Sequence, residues 1–549
     1  MFSRTLTVVA CGLLLLCTSI SANAAPKNWQ GQSSLSWDGF LNWSPFGAPV
    51  PSDNVLVGAL ALGAGDATVL DTDYLIDTLA ISAASSVSTN GSVLNVTNDV
   101  VVSEASSKMI VLPKASDPNA FSFLANDVAL LAGATLETDE GRTALDGNLT
   151  INAGAEITGS GIARPVLLFN DGDITATSST VNLQIISTDP IALDIDGSSE
   201  SGVLNATGGA TLVISGELRD DFDGIANIGP NSRLSFFQNA TIGTGGLVNL
   251  HGAMNEPAEL VGPSGAPIIN FNGTLSVEAE ARVDSVQFLS GSKITFDAAS
   301  DVLIVNGPDS LIDAGVTFSG VGTMIGTGSG FVLGDGAQVT VPVGLTLSGR
   351  LKIEEGAAGF AELLSLNMTS GSTDLEFELG GTALSEYDRL FVQNSTTITG
   401  GLEVKLIDGF SPTAGDAFQL ISTIGTPISG TFIDTLNVLP TIGAGLEWQI
   451  DYSNSDFVFL RVQLPGDYND NGVVDAADYT IWRDTFGSTT DLRADGNQDG
   501  VVNQSDYIFW EFRFGNTAPS NSTAVPEPTS VLIAALALAA LPQRKPRNE

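Results

Sequence analysis

Between about residue 55 and residue 360, apolar and polar positions alternate in short runs separated by Gly, Asn, Asp or Ser. Leu149-Thr150-Ile151 is one such run, and Leu212-Val213-Ile214 follows Ala210-Thr211. Later runs are Thr274-Leu275-Ser276-Val277, Lys293-Ile294-Thr295-Phe296 and Leu345-Thr346-Leu347. A period of two puts every second side chain on one buried face, which is the pattern of a β-strand. No window of about ten residues shows the 3.6-residue stripe of a helix. Prolines fall between the runs, where the missing N–H does not interrupt a ladder. The pattern predicts a chain built mainly of many short strands.

Two flanking regions modify that picture. Residues 27 to 58 carry Trp29, Trp37 and Trp43 ahead of a first strand at Val55-Leu56-Val57. A stack of repeats needs a cap over its unpaired edge, and these indoles are expected to provide it; a carbohydrate-stacking platform is the sharper alternative. Residues 361 to 464 carry longer strand patterns at Tyr387–Val392, Gly401–Leu406, Gly415–Ile421 and Asp456–Val462. They read as a β-rich terminal module, either a last set of rungs or a small sandwich. Trp448 and Phe432 are expected in its core.

The segments Asn152–Gly161 and Leu333–Gly344 resemble rungs of parallel β-helices in autotransporter-like surface proteins. The resemblance implies an irregular right-handed parallel β-helix, a solenoid, over residues 25–360, with residues 361–464 as its β-rich terminal module. A β-sandwich array is the alternative fold.

Composition then narrows the function. There are 62 acidic against 21 basic residues and a formal net charge of −41, so the chain repels phosphate backbones and nucleic acid is excluded as a partner. Arg4, the apolar run Thr5–Ile20 and Ala22-Asn23-Ala24 have the form of a secretory signal over residues 1–24. Cys11 and Cys17 both lie in that run, so the mature chain is expected to have neither disulfide nor thiol. At the other end Val525-Pro526-Glu527-Pro528 precedes an apolar run, Val531–Leu541, and then Arg544, Lys545 and Arg547. This order resembles a PEP-CTERM sorting signal within a tail of residues 518–549. The resemblance implies transient inner-membrane association, processing by an exosortase-type enzyme, and a secreted or cell-surface location; a plain, permanent C-terminal membrane anchor is the alternative.

The most specific chemistry lies in two twelve-residue loops. The first places Asp467, Asn469, Asn471, Asp475 and Asp478 at positions 1, 3, 5, 9 and 12. The second places Asp495, Asn497, Asp499, Asn503 and Asp506 at the same positions. Gly472 and Gly500 take position 6, and Val473 and Val501 at position 7 offer backbone carbonyls. Calcium takes six to eight oxygen ligands from such a wrapped loop, with glycine allowing the sharp turn. Two loops predict two Ca2+ ions. Position 12 is Asp where a regular EF-hand has Glu. Leu464-Pro465-Gly466 rules out a normal entering helix. Tyr479 and Trp482 recur as Tyr507 and Trp510, and Phe486-Gly487 as Phe514-Gly515. Loop plus exit helix, duplicated, resembles a type I dockerin, within a calcium-binding domain of residues 465–517. The resemblance implies a cohesin-like protein partner, chosen by positions 10 and 11. These are Ala476 and Ala477 in one copy and Gln504 and Ser505 in the other, a difference that disfavours two equivalent binding orientations.

Catalytic candidates are few. His251 is the only histidine and is expected to be incidental. Zinc sites of His/Cys type and Cys–His catalysis are excluded from the mature chain. No phosphate-binding Walker loop or G-x-S-x-G elbow occurs. The expectation is therefore a secreted, non-catalytic structural or adhesive protein with a dockerin-like attachment module. The alternative is a polysaccharide-binding or polysaccharide-degrading β-helix protein, a glycoside hydrolase or lyase, which needs clustered Asp, Arg or Lys. Basic residues are thinly scattered along this chain.

Overall fold

The computed structural model describes residues 26–518, apart from 31–35, 40–41, 59–66, 188–192, 196–201, 263–267, 308–309, 328–330, 340–343, 370–372, 425 and 498. The signal-like segment at residues 1–24 and the tail from residue 519 lie outside the described residues. The fold is mainly β, with large parallel sheets compatible with a β-helix. Among the described residues, two α-helices, α1 (Ala476–Thr485) and α2 (Gln504–Glu511), follow the strands. Among the described residues the strands form sheets of 24, 9, 8 and 6 members.

Register is the organising feature. Ile174 pairs with Leu204, Leu204 with Ala226, Ala226 with Val248, Val248 with Leu275, and Leu275 with Ile294. All six side chains are buried, so an apolar file runs through the stack. A second file runs two residues on, through Ala176, Ala206, Ile228, Leu250, Val277 and Phe296. The alternation read from the sequence is what makes this work. A one-residue slip would turn each file outward. The step between partners is unequal, 30 residues from Ile174 to Leu204 and 19 from Leu275 to Ile294, because the segments between strands absorb the difference.

The position between the two files faces outward and is polar. Asn205, Asn227 and Asn249 sit in register there, between Thr175 and Ser276. Each asparagine amide donates to the side-chain oxygen of the preceding rung: Asn205 to Thr175 (3.2 Å), Asn227 to Asn205 (3.0 Å) and Asn249 to Asn227 (2.8 Å). Parallel sheets normally need cover on both faces. Here the polar ladder lets the outer face stay in water. Some rungs approach too closely for a side chain. Gly159 has φ +117°, and a Cβ there would lie 1.7 Å from the Thr138 carbonyl oxygen.

Both ends of the stack turn antiparallel. At the start, Lys27–Trp29 pairs parallel with Asn54–Val57 but antiparallel with Trp43–Ser44. Trp37 and Trp43 are fully buried and Trp29 is 6% exposed. Their rings meet edge-on, 5.0 Å apart for Trp29–Trp43 and 5.2 Å for Trp37–Trp43. The Trp43 indole donates to the Trp37 carbonyl at 2.8 Å. The Lys27 ammonium donates to the carbonyls of Pro45, Phe46 and Gly47. With Trp37 and Trp43 fully buried, their indoles offer no face on which a sugar can stack.

The division expected at residue 360 is not a break in pairing. Arg350–Ile353 pairs parallel with Asp374–Leu379, which pairs parallel with Gly401–Leu406. Parallel rungs continue to Ser429–Gly430. Only then does the direction change: Ala417–Thr423 pairs antiparallel with Phe457–Gln463, and that strand with Glu447–Asp451. The longer strand patterns of 361–464 reflect this closure, which sits on the same stack. Phe432 is buried, and Trp448 packs beside Phe418 at 6.1 Å with its indole on the Pro440 carbonyl.

Near this end lies a buried carboxyl, Asp388. Its two oxygens accept the N–H groups of Gly359 (2.7 Å) and Glu378 (2.6 Å). Burial outweighs these bonds and pushes its pKa up to about 8. Because the folded value lies above the unfolded one, the folded state holds the extra proton between about pH 4 and pH 8. This contribution is complete below about pH 4 and is lost as the pH rises through about 8.

Two outcomes follow. Trp43→Ala removes a fully buried indole, a change that typically costs about 3–5 kcal/mol; limited proteolysis is expected to cut first within residues 54–102 while later rungs stay resistant. Stability measured by denaturant titration is expected to fall from pH 5 to pH 8, and Asp388→Asn to flatten that slope.

Candidate metal centre in the C-terminal helical pair

The chain leaves the last strand at Gln463 and enters the first loop without an intervening helix. Position 1 organises the turn. Asp467 accepts the N–H groups of Asn471 (3.1 Å) and Gly472 (2.6 Å). Asp495 accepts those of Asp499 (3.1 Å) and Gly500 (2.8 Å) in the second loop. Gly472 and Gly500 have φ +82° and +83°, a conformation that favours glycine at position 6. Positions 3 and 5 add the same kind of local bond. The Asn469 and Asn497 side chains accept from Asn471 and Asp499 N–H, and Asn471 and Asp499 accept from Val473 and Val501 N–H.

Positions 9 and 12 serve loop and helix together. Asp475 and Asn503 are the N-caps of α1 and α2 and accept from Ala477 and Ser505 N–H, each at 2.7 Å. Asp478 and Asp506 are the third helical residues and return bonds to Asp475 and Asn503 N–H, also at 2.7 Å. Both helices therefore start with a reciprocal capping box. The second oxygens of Asp478 and Asp506 reach back to Asn469 and Asn497 N–H, at 3.0 and 3.2 Å. This double duty was not read from the sequence, although an acid three residues after an N-cap residue is its usual sign.

The electrostatics of the loops are unbalanced. Asp478 and Asp506 are fully buried and Asp467 nearly so. Burial raises the Asp478 pKa, and the neighbouring charge of Asp467 adds to the rise. Among the described residues, no lysine or arginine pairs with Asp467, Asp478, Asp495 or Asp506. Each loop spreads three aspartates and two asparagines over positions 1, 3, 5, 9 and 12. Among the described residues, no group of three or more His, Cys, Asp or Glu side chains gathers into a metal-holding cluster. Any cation in these loops would have to draw on asparagine and backbone oxygens as well as on carboxylates. Hard-oxygen donors and enclosed like charges fit calcium and do not fit a soft metal.

The two copies interlock. Val474 exchanges backbone bonds with the segment after α2 (Val474 N–H to the Asn516 carbonyl, Gly515 N–H to Val474). Val502 does the same with the segment after α1, through Gly487 and Ser488. Tyr479, Trp482, Tyr507 and Trp510 pack with ring centroids 5.1 to 6.1 Å apart. With Gln504 they line an open concavity of about 430 Å³. Ala476, Ala477, Gln504 and Ser505 are all exposed on the first turns of the helices.

Outside this pair, the stack brings together charges that look scattered in sequence. Glu376, 2% exposed, is approached by Arg350 at 3.2 Å, Lys352 at 3.8 Å and Lys405. Arg350 also reaches Glu403 at 2.7 Å and Asp374 at 3.7 Å. Register across three rungs creates this cluster, so no local run of residues announces it. Each cation is matched to a carboxylate, as in an ion-pair network that ties strands. His251 sits at a strand end with Nδ1 2.6 Å from Glu278 Oε2, and both side chains are about half exposed. Among the described residues, no helix is long and apolar enough to cross a membrane. No protein-family model matches the chain, and a search of curated proteins finds no match.

Proposed function

We propose that residues 466–516 form a dockerin-like module that takes two calcium ions and attaches the long β body to a protein partner. The observation that carries this reading is the duplicated loop with a buried position-12 carboxylate in each copy, which in the first copy feels the charge of the position-1 carboxylate, and with no basic side chain paired to either among the described residues. Asp467, Asn469, Asn471, Asp475 and Asp478 would hold one ion with the Val473 carbonyl. Asp495, Asn497, Asp499, Asn503 and Asp506 would hold the other with the Val501 carbonyl. A domain of this size needs a staple, and calcium would supply charge neutralisation at the loops that no lysine or arginine among the described residues provides. The exposed Ala476, Ala477, Gln504 and Ser505 are then the contact positions for a cohesin-like domain.

The β body is, on this reading, a right-handed parallel β-helix. Right-handed crossovers dominate parallel connections, which supports that hand. The protein acts as a secreted or cell-surface structural or adhesive protein, with extracellular polysaccharide as the material it meets. Residues 525–528 and the apolar run behind them are its sorting signal, handled by an exosortase-type enzyme at the inner membrane. The matched ion pairs around Glu376 support a structural body over a catalytic one.

Calorimetry on the full chain is expected to show two calcium ions taken up, with a gain of helix by circular dichroism. Asp467→Ala together with Asp495→Ala is expected to abolish both; heat-free titration of the parent chain would overturn the calcium reading. Removal of residues 525–549 is expected to change the fraction in which the protein is recovered from its host. Unchanged fractionation would contradict the sorting role.

A further inference from the structure

Each tryptophan of the helical pair is tied to the opposite loop. The Trp482 indole N–H, on α1, donates to the Asn503 carbonyl at position 9 of the second loop, at 2.8 Å. The Trp510 indole N–H, on α2, donates to the Asp475 carbonyl at position 9 of the first loop, at 3.1 Å. Position 9 is the pivot of each copy. Its side chain caps the helix, its N–H is held by the position-12 aspartate, and its carbonyl is held by the other copy's indole. Fixing all three groups fixes the peptide planes on both sides of the residue and so the direction of its side-chain oxygen. The indoles are themselves oriented by ring packing, Trp482 against Tyr507 at 5.1 Å and Trp510 against Tyr479 at 5.6 Å.

A third tie runs one way only. The Tyr468 hydroxyl, at position 2 of the first loop, donates to the Asp506 carbonyl at position 12 of the second, at 2.9 Å. The equivalent residue of the second loop is Gly496. A Cβ there would come within 2.5 Å of the Tyr468 hydroxyl oxygen, so this glycine makes room for the tie and returns none.

We propose that Trp482 and Trp510 are positioning residues that act in a crossed manner, each setting the cation affinity of the opposite loop, so that the two loops load as one cooperative unit. Tyr468 adds a second hold on the second loop alone. This inference rests on the calcium reading above. The test is a calcium titration of the full chain in two single-loop backgrounds, Asp495→Asn leaving the first loop and Asp467→Asn leaving the second. Loss of one such hydrogen bond is expected to weaken binding about three- to tenfold. Trp510→Phe should weaken the first loop in the Asp495→Asn background, where Trp482→Phe has little effect. Trp482→Phe should weaken the second loop in the Asp467→Asn background, where Trp510→Phe has little effect. Far-UV circular dichroism at saturating calcium confirms folding. If a tryptophan variant fails to fold, Tyr468→Phe, which removes one hydroxyl, should still weaken the second loop only. Calcium uptake by the parent chain with uncrossed or absent effects would overturn the coupling and leave the calcium reading standing. No uptake by the parent chain would overturn both.

Discussion

In-register parallel pairing sets the terms for the rest of this chain. Once Ile174, Leu204, Ala226, Val248, Leu275 and Ile294 share a file, the core is determined along the stack. The outward positions must then tolerate water while lying about 4.8 Å from their copies on the next rung. Asparagine suits that spacing because its amide can donate to one neighbouring rung and accept from the other: Asn205 and Asn227 do both, and Asn249 donates to Asn227. Glu376 suits it where three basic side chains converge from neighbouring strands. The ends of such a stack are exposed edges, and both are turned antiparallel and filled with aromatic rings: Trp29, Trp37 and Trp43 at one end, Phe418 and Trp448 at the other.

The helical pair depends on a different kind of glue. Its apolar interior consists of a few rings with the fully buried Val474, Ala494 and Val502, which is little core for two loops and two short helices. What holds it in this structure is reciprocal: capping boxes within each copy, and backbone exchanges between copies through Gly487, Val502, Val474 and Gly515. Enclosed aspartates remain a debt in that arrangement. A bound divalent cation in each loop is the simplest way to settle it, which is why the proposed calcium belongs to folding as much as to recognition.

How much of this was legible in the sequence follows from the range of each interaction. Period-2 alternation is local, so strands such as Leu149–Ile151 and Thr274–Val277 stood out, as did the loops with Gly472 and Gly500 at position 6. The burial of the tryptophans follows from their place at an edge. By contrast, the change of strand texture after residue 360 left open whether last rungs or a small sandwich followed; parallel pairing crosses that point and the antiparallel closure comes later. The Glu376 cluster was invisible because Arg350, Glu376 and Lys405 meet only through register. The crossed indole bonds were invisible for the same reason: Trp482 and Trp510 recur at equal offsets, but only the fold shows which carbonyl each one reaches.

On the proposed reading, the β stack stands on its own pairing while the helical pair needs a bound cation. Amide hydrogen exchange on the full chain, with calcium and then with a chelator, tests it most directly. Strands such as Thr274–Glu278 and Lys293–Asn306 are expected to stay protected in both conditions, while residues 467–516 lose protection when calcium is removed. Equal protection of residues 467–516 with and without calcium, or loss of protection in the stack on chelation, would contradict it.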